Sequence, residues 1–245
     1  MRPAVLAALA LCLVLAGCGG GLSRAEYEHA AESGIAARDR QSHLASAQLE
    51  LAALRTHLPG LDWGPHASDE LCDLDLSGHT TFGSPPPDSL ACRTSVVQYT
   101  GFDGDLPAAI RRLDDSLTAA GWTRGTTDVN MPINYYQWYK GRPEGPRTYD
   151  AGSLPGLYYT AAHTTACATQ PQPWSLAVTW LEAGQPLGPG QYTVSRYSTT
   201  DTPFYQHRDP LDRSAAALVL LATHHYVTVL VLSLRCVYTP TDLRN

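Results

Sequence analysis

Apolar residues along this chain recur with several spacings, and each spacing predicts an element. From Ser23 to Leu58 the sequence is rich in Ala, Glu, Arg, Gln and Leu and contains no proline, a composition that favours helix. Leu44, Ala47, Leu51, Leu54 and Leu58 alternate i+3 and i+4 steps and so line one helical face. Ser23 followed by Glu26 has the spacing of a capping box. Ser33-Gly34 is a point of break or bend, and Pro59-Gly60 ends the run. Two roles fit this segment. Packing the Leu stripe on the domain that follows is favoured; pairing with another helix as a stalk is the alternative.

Ser95 to Trp122 reads as strand, helix, strand. Ser95–Thr100 is β-prone. Asp105 is a cap, with Pro107 in the first turn where its missing N–H costs little. Leu106, Ile110, Leu113, Leu117 and Ala120 trace one face, Gly121 closes the helix, and Trp122 opens the next strand. Asp114-Asp115 fall on the solvated side. Adjacent helical residues point about 100° apart, so they are poor partners for acid–base work.

Strict alternation marks the strands. Ile133 to Lys140 alternates, with Tyr135, Gln137 and Tyr139 on one side and Tyr136 and Trp138 on the other. In Trp174–Leu181, the residues Trp174, Leu176, Val178 and Trp180 share a face. Ala215–Tyr238 predicts a β-hairpin, Ala217–Ala222 and Tyr226–Tyr238, turning at His224-His225. Leu230, Leu232, Leu234 and Cys236 then face the core, with Arg235 opposite. Leu61 to Ala91 is punctuated by Pro and Gly and reads as loop, with a short strand at Leu71–Leu76. Its Asp69, Glu70, Asp73 and Asp75 read as a solvated acidic edge, since they lack EF-hand spacing. Glu182 to Pro210 is long and polar with interspersed aromatics, the kind of segment that faces ligands or partners.

The N-terminus carries an address. Met1-Arg2 precedes an apolar run from Ala4 to Leu15. That run has the length of a secretory h-region and is shorter than the roughly 20 residues needed to span a bilayer. It closes on Leu15-Ala16-Gly17-Cys18, which resembles the lipobox of bacterial lipoproteins. The resemblance implies cleavage between Gly17 and Cys18, a diacylglycerol on the Cys18 sulfur, and an extracytoplasmic protein held on the cell membrane by that lipid. Gly19-Gly20-Gly21 then forms a flexible leash. The expected organisation is a signal peptide over 1–17, a tether over 18–23, a helical segment over 24–58 and an α+β domain over 69–241.

Charge narrows the partners. The whole chain has 17 basic and 23 acidic residues, a formal net charge of −6. Losing residues 1–17 removes Arg2, leaving 16 basic against 23 acidic, or −7. An acidic chain without a basic run argues against nucleic acid and against polybasic attraction to lipid.

Four cysteines remain downstream of Cys18: Cys72, Cys92, Cys167 and Cys236. An even number in an exported chain reads as two disulfides. Zinc is the competing reading, but there is no Cys-x-x-Cys pair and no His at ligand spacing from a Cys. Three connectivities are possible, and Cys72–Cys92 with Cys167–Cys236 is favoured.

His29, His43 and His57 fall at intervals of fourteen on nearly one helical face. They are roughly 20 Å apart along the axis, too far to share a metal, and read as solvated. His224-His225 read as turn histidines. No nucleophile elbow, P-loop, dinucleotide fingerprint or zinc-protease motif occurs, so no catalytic, cofactor or metal residues are assigned.

The sequence therefore predicts an α+β fold, a mostly antiparallel sheet with a strand-helix-strand unit, preceded by an N-terminal helix. The expected function is a lipid-anchored envelope protein that binds a protein, peptide or glycan without catalysis. Tyr135, Tyr139, Tyr158, Tyr192, Tyr197 and Tyr205 are its candidate ligand-facing aromatics. A hydrolase with a Ser/His/Asp site assembled in space is one alternative, and would bring His163, His207 or His224 to a Ser and an Asp. A structural subunit associating through the helix is the other.

Overall fold

The computed structural model describes residues 22–74, 89–139, 156–167, 170–184, 203–239 and 242. Cys18, Tyr192 and Tyr197 lie outside them, as does the side chain of Tyr139. The fold is α+β. Its elements are α1 (Arg24–Ala31), α2 (Gly34–His57), β1 (Asp62–Leu74), β2 (Leu90–Phe102), α3 (Leu106–Ala119), β3 (Trp122–Arg124), α4 (Asn130–Asn134) running into a π-helical turn (Tyr135–Tyr139), β4 (Leu157–Thr165), β5 (Gln172–Glu182), β6 (Tyr205–Arg208), α5 (Arg213–Leu221) and β7 (Tyr226–Tyr238). The strands form one antiparallel sheet in the order β3-β4-β5-β7-β2-β1-β6.

Central β2 and β7 pair over thirteen residues, Leu90↔Tyr238 through Phe102↔Tyr226. Both of their faces are covered. On one side Val96, Leu176, Trp174, Leu230, Leu232 and Leu234 pack under α1, α2 and α3. On the other, Val97, Tyr99, Val227 and Val229 pack against Ala216, Ala217 and Leu220 of α5. The apolar alternation predicted for Trp174–Trp180 is present, and all four of its large residues are buried.

The N-terminal segment is two helices. Ser23 and Glu26 complete the capping box of α1, and Ser33 caps α2 by accepting from the Ala36 N–H. The stripe Ala47, Leu51, Leu54 and Leu58 is buried in the main core, so this helix packs on its own sheet. The strand-helix-strand unit also has its predicted signals. Asp105 accepts from the Ala108 N–H, and Gly121 takes φ +88°, a left-handed turn that glycine adopts without strain.

Several expectations need correction. Ile133–Tyr139 is not a strand, and Lys140 lies outside the described residues. Pro132 lies in the short helix α4, and the following turn seats Tyr136, whose phenol donates to the Trp180 carbonyl. Ala217–Ala222 is not a strand either, because Asp212 caps the Ala/Leu-rich helix α5 through the Ala215 N–H. The segment after Leu61 is not mainly loop but a thirteen-residue strand. Pro65 is tolerated there because the register shifts between Trp63 and His66. Gln98 Nε2 donates to the Gly64 and Tyr99 carbonyls, both at 2.8 Å, and so satisfies a carbonyl beside the bulge.

The acidic edge is another. Glu70 and Asp73 are buried in β1. Glu70 faces Arg40 of α2 at 3.6 Å and accepts from the Tyr205 phenol at 3.2 Å. Asp69 on the opposite face accepts from Arg213 at 2.6 Å and lies 3.6 Å from Arg208. Burial pushes its carboxyl up, against the pull of the two guanidiniums. Asp114 of α3 is likewise engaged rather than solvated, holding Arg124 at 2.6 Å and the Tyr159 hydroxyl at 2.8 Å.

Both favoured disulfides are present, Cys72–Cys92 and Cys167–Cys236. Cys72 and Cys92 are register partners in β1 and β2, and Cys236 is the partner of Cys92 in β7. Three of the four half-cystines thus lie in a row under α2. With sequence separations of 20 and 69, chain entropy gives roughly 3 and 4 kcal/mol of stabilisation. Among the described residues no helix is long and apolar enough to cross a membrane.

Candidate functional site

A cleft of about 250 Å³ opens at the end of the sheet where α2 stops and α3 starts. The sequence places both events there. Pro59-Gly60 ends α2, and Gly60 takes φ +84° to turn the chain back through Leu61 into β1. Asp105 starts α3 three residues after β2 ends at Phe102. The interior is apolar, lined by Phe102, Leu113 and Trp180, while Arg112, Ser116 and Asp103 supply polar groups.

Thr228 lines the cleft as well. It lies on the core face of β7, with Thr100 and Trp180 as its register partners. Only 1% of it is exposed, and its hydroxyl has no hydrogen-bond partner among the described residues. A buried hydroxyl left unpaired costs on the order of 1–3 kcal/mol. Apolar walls around a few polar groups are the usual composition of a ligand site, although this cleft is smaller than the roughly 300–1,000 Å³ usual for drug-sized ligands.

Asp103 is held by the turn before β7. Its Oδ1 accepts the His225 backbone N–H at 2.8 Å, and its Oδ2 lies 2.9 Å from His224 Nδ1. His224 Nε2 lies 3.1 Å from Asp62 Oδ2. Carboxylates only accept, so an imidazole bonded to one at each nitrogen is the doubly protonated cation. Its bonds to Asp103 and then Asp62 raise the His224 pKa above its ordinary value. The His225 N–H and then His224 hold the Asp103 carboxyl below its own. His225 Nε2 in turn lies 3.6 Å from Glu182. The two turn histidines thus join the starts of β1 and β7 to the ends of β2 and β5.

The predicted aromatics do not gather in one row. Tyr158 is 54% exposed on β4, near one edge of the sheet. Tyr205 is on β6 at the opposite edge, half-buried, with its ring 3.9 Å from the Arg40 guanidinium. Tyr135 is half-buried, edge-on to Tyr136. Of the histidines named for a hydrolase, His163 pairs with Glu50 at 2.7 Å, His207 is the register partner of Glu70, and His224 is occupied by carboxylates at both nitrogens.

His43 also departs from expectation. It is 3% exposed, inside the α2–sheet interface, and not solvated. Sequence reasoning missed Thr228, Arg112 and Asp103 as cleft residues. A signal for Thr228 was present: it is the polar position in phase with Leu230, Leu232 and Leu234. Comparison with protein-family models, curated proteins and solved structures finds no match.

Proposed function

We propose that this is a non-catalytic binding protein of the cell envelope. It is anchored by lipid on Cys18 and takes a side chain or terminal group of a protein or peptide partner in the cleft beside Thr228. The observation that carries the reading is the unpaired Thr228 hydroxyl within an apolar cleft that also presents Arg112. A polar group entering the cleft can pair with that hydroxyl and recover its desolvation cost. The two disulfides are consistent with an oxidising compartment. The small volume favours a peptide side chain over a whole sugar ring. The carboxylate clasp on His224 weighs against the hydrolase alternative, because both ring nitrogens are turned to carboxylates rather than to a serine hydroxyl.

The test is photocrosslinking in intact cells. A benzoylphenylalanine replaces Ser116 in the cleft or, as control, Leu49 on the exposed side of α2. A discrete protein adduct from position 116 and none from position 49 is the expected result. Equal yields from the two, or none from position 116, would overturn the reading.

A further inference from the structure

His43, Cys167 and Cys236 converge. One nitrogen of His43 and the two sulfurs lie within 4.8 Å of one another, drawn from α2, the segment after β4, and β7. His43 Nε2 is 2.9 Å from the Ala166 carbonyl. A carbonyl cannot donate, so Nε2 carries the proton and Nδ1 of the neutral ring carries the lone pair. Cys236 Sγ lies 3.9 Å from Nδ1 and 3.7 Å from Nε2. The disulfide sulfur thus lies beside both ring nitrogens of an imidazole that is 3% exposed. A histidine that donates one ring N–H to a backbone carbonyl keeps its other nitrogen available as a ligand, as metal-ligating histidines do.

The two disulfides differ in access. Cys72 and Cys92 are both buried, at 0% and 4% exposure. Cys167 is half-exposed and its partner Cys236 is 1% exposed. An external thiolate therefore reaches the Cys167 sulfur first and displaces Cys236, beside His43.

We propose that the Cys167–Cys236 disulfide is the oxidised form of a metal site. In the reduced form Cys167 Sγ, Cys236 Sγ and His43 Nδ1 bind a thiophilic divalent cation of the zinc class. The reductant is an external dithiol. One of its thiolates attacks Cys167 Sγ, forming a mixed disulfide and releasing Cys236 as thiolate. Its second thiol then attacks the mixed disulfide, releasing Cys167. Two electrons pass to the protein, and the dithiol leaves as a disulfide. Cation binding displaces any protons left on the two sulfurs. Two thiolates and an imidazole make a three-ligand site, and the half-exposed position of Cys167 leaves a fourth coordination position to water. The proposal is independent of the cleft.

The test uses the purified full-length chain, reduced with graded dithiothreitol, freed of reductant, and titrated anaerobically with Co²⁺ as the spectroscopic probe. Alkylation mapping should place the first two thiols at Cys167 and Cys236, with Cys72–Cys92 intact. Co²⁺ should then bind one to one, with the thiolate charge-transfer and strong visible bands of a tetrahedral site, and Zn²⁺ should displace it. His43→Gln should weaken Co²⁺ binding at least about tenfold. Nitrogen-15 NMR of the unmutated reduced chain reads the same contact without a variant, since Zn²⁺ should move His43 Nδ1 and leave Nε2 protonated. Thiols appearing first at Cys72 and Cys92, no Co²⁺ bands, or an unmoved Nδ1 resonance would each overturn the proposal.

Discussion

His224 Nδ1 and Asp103 Oδ2 meet at 2.9 Å beside the cleft, and the same imidazole reaches Asp62 from its other nitrogen. This clasp makes stability depend on pH in a defined window. The His224 pKa is raised on folding, so its contribution is complete below the unfolded value of about 6.5 and is lost as pH rises through the folded value. The Asp103 pKa is lowered, so its contribution is complete above about 4 and is lost as pH falls through the folded value. Together they stabilise most between about pH 4 and 6.5. Urea midpoints should fall from pH 6 to pH 9, and His224→Ala should remove much of that fall. An undiminished fall in the variant would assign the effect elsewhere.

The His224 ring lies directly over Gly101. A Cβ at that position would sit 2.2 Å from His224 Cδ2. Gly101→Ala must displace the ring and open the clasp, with an overpacking cost of about 1–3 kcal/mol. Denaturation of the variant should show that loss, together with a flattened pH dependence above pH 6.

Thr228→Val replaces the unpaired hydroxyl by a methyl group of similar size. Folding stability should rise, by on the order of 1 kcal/mol, because a buried polar atom without a partner is removed. Most stabilising changes leave function intact, whereas this one should weaken adduct formation in the cleft. A fall in stability would mean that the hydroxyl is paired.

Arg40 pins α2 to β1. It is 5% exposed, donates to the Ala31 carbonyl at 2.6 Å, and lies 3.6 Å from Glu70. Arg40→Ala leaves the Glu70 carboxylate buried without its cation and should cost about 3–5 kcal/mol. Replacing both partners, Arg40→Met with Glu70→Gln, should restore much of the loss. Calorimetry of the two variants distinguishes a buried ion pair from simple packing.

Cys18 carries the anchoring proposal. Cys18→Ala should abolish incorporation of labelled fatty acid and release the chain from the membrane fraction. Unchanged labelling would sink the lipid assignment.

Where local signals and tertiary packing agree, the sequence is legible. The Ser23 and Asp105 caps, the Gly121 stop and the Trp174–Trp180 alternation each specify their element by short-range chemistry. Tyr135–Tyr139 shows the opposite case. Its aromatics have strand propensity, but the Tyr136 phenol is anchored on the Trp180 carbonyl and the turn stays helical. In Ala217–Ala222, Ala and Leu suit helix and strand alike, and the Asp212 cap decides between them. The Glu70–Arg40 and Asp69–Arg213 pairs are illegible because the partners lie 30 and 144 residues away. Spacing alone makes those acids look solvated. His43 looks solvated for the same reason, since helical periodicity says nothing about the sulfur that Cys236 brings to it. Of the cleft, only Thr228 broke a local pattern.

Adduct yield from a photoreactive residue at Ser116, with and without Ala109→Trp, measures most directly whether the cleft takes a partner. Ala109 lines the same cleft, and an indole there fills it without touching Cys18 or the disulfides. The expected result is a discrete adduct that disappears in the filled variant while the chain stays folded and membrane-bound. An adduct that persists at full yield with the cleft filled would contradict the binding function proposed for it.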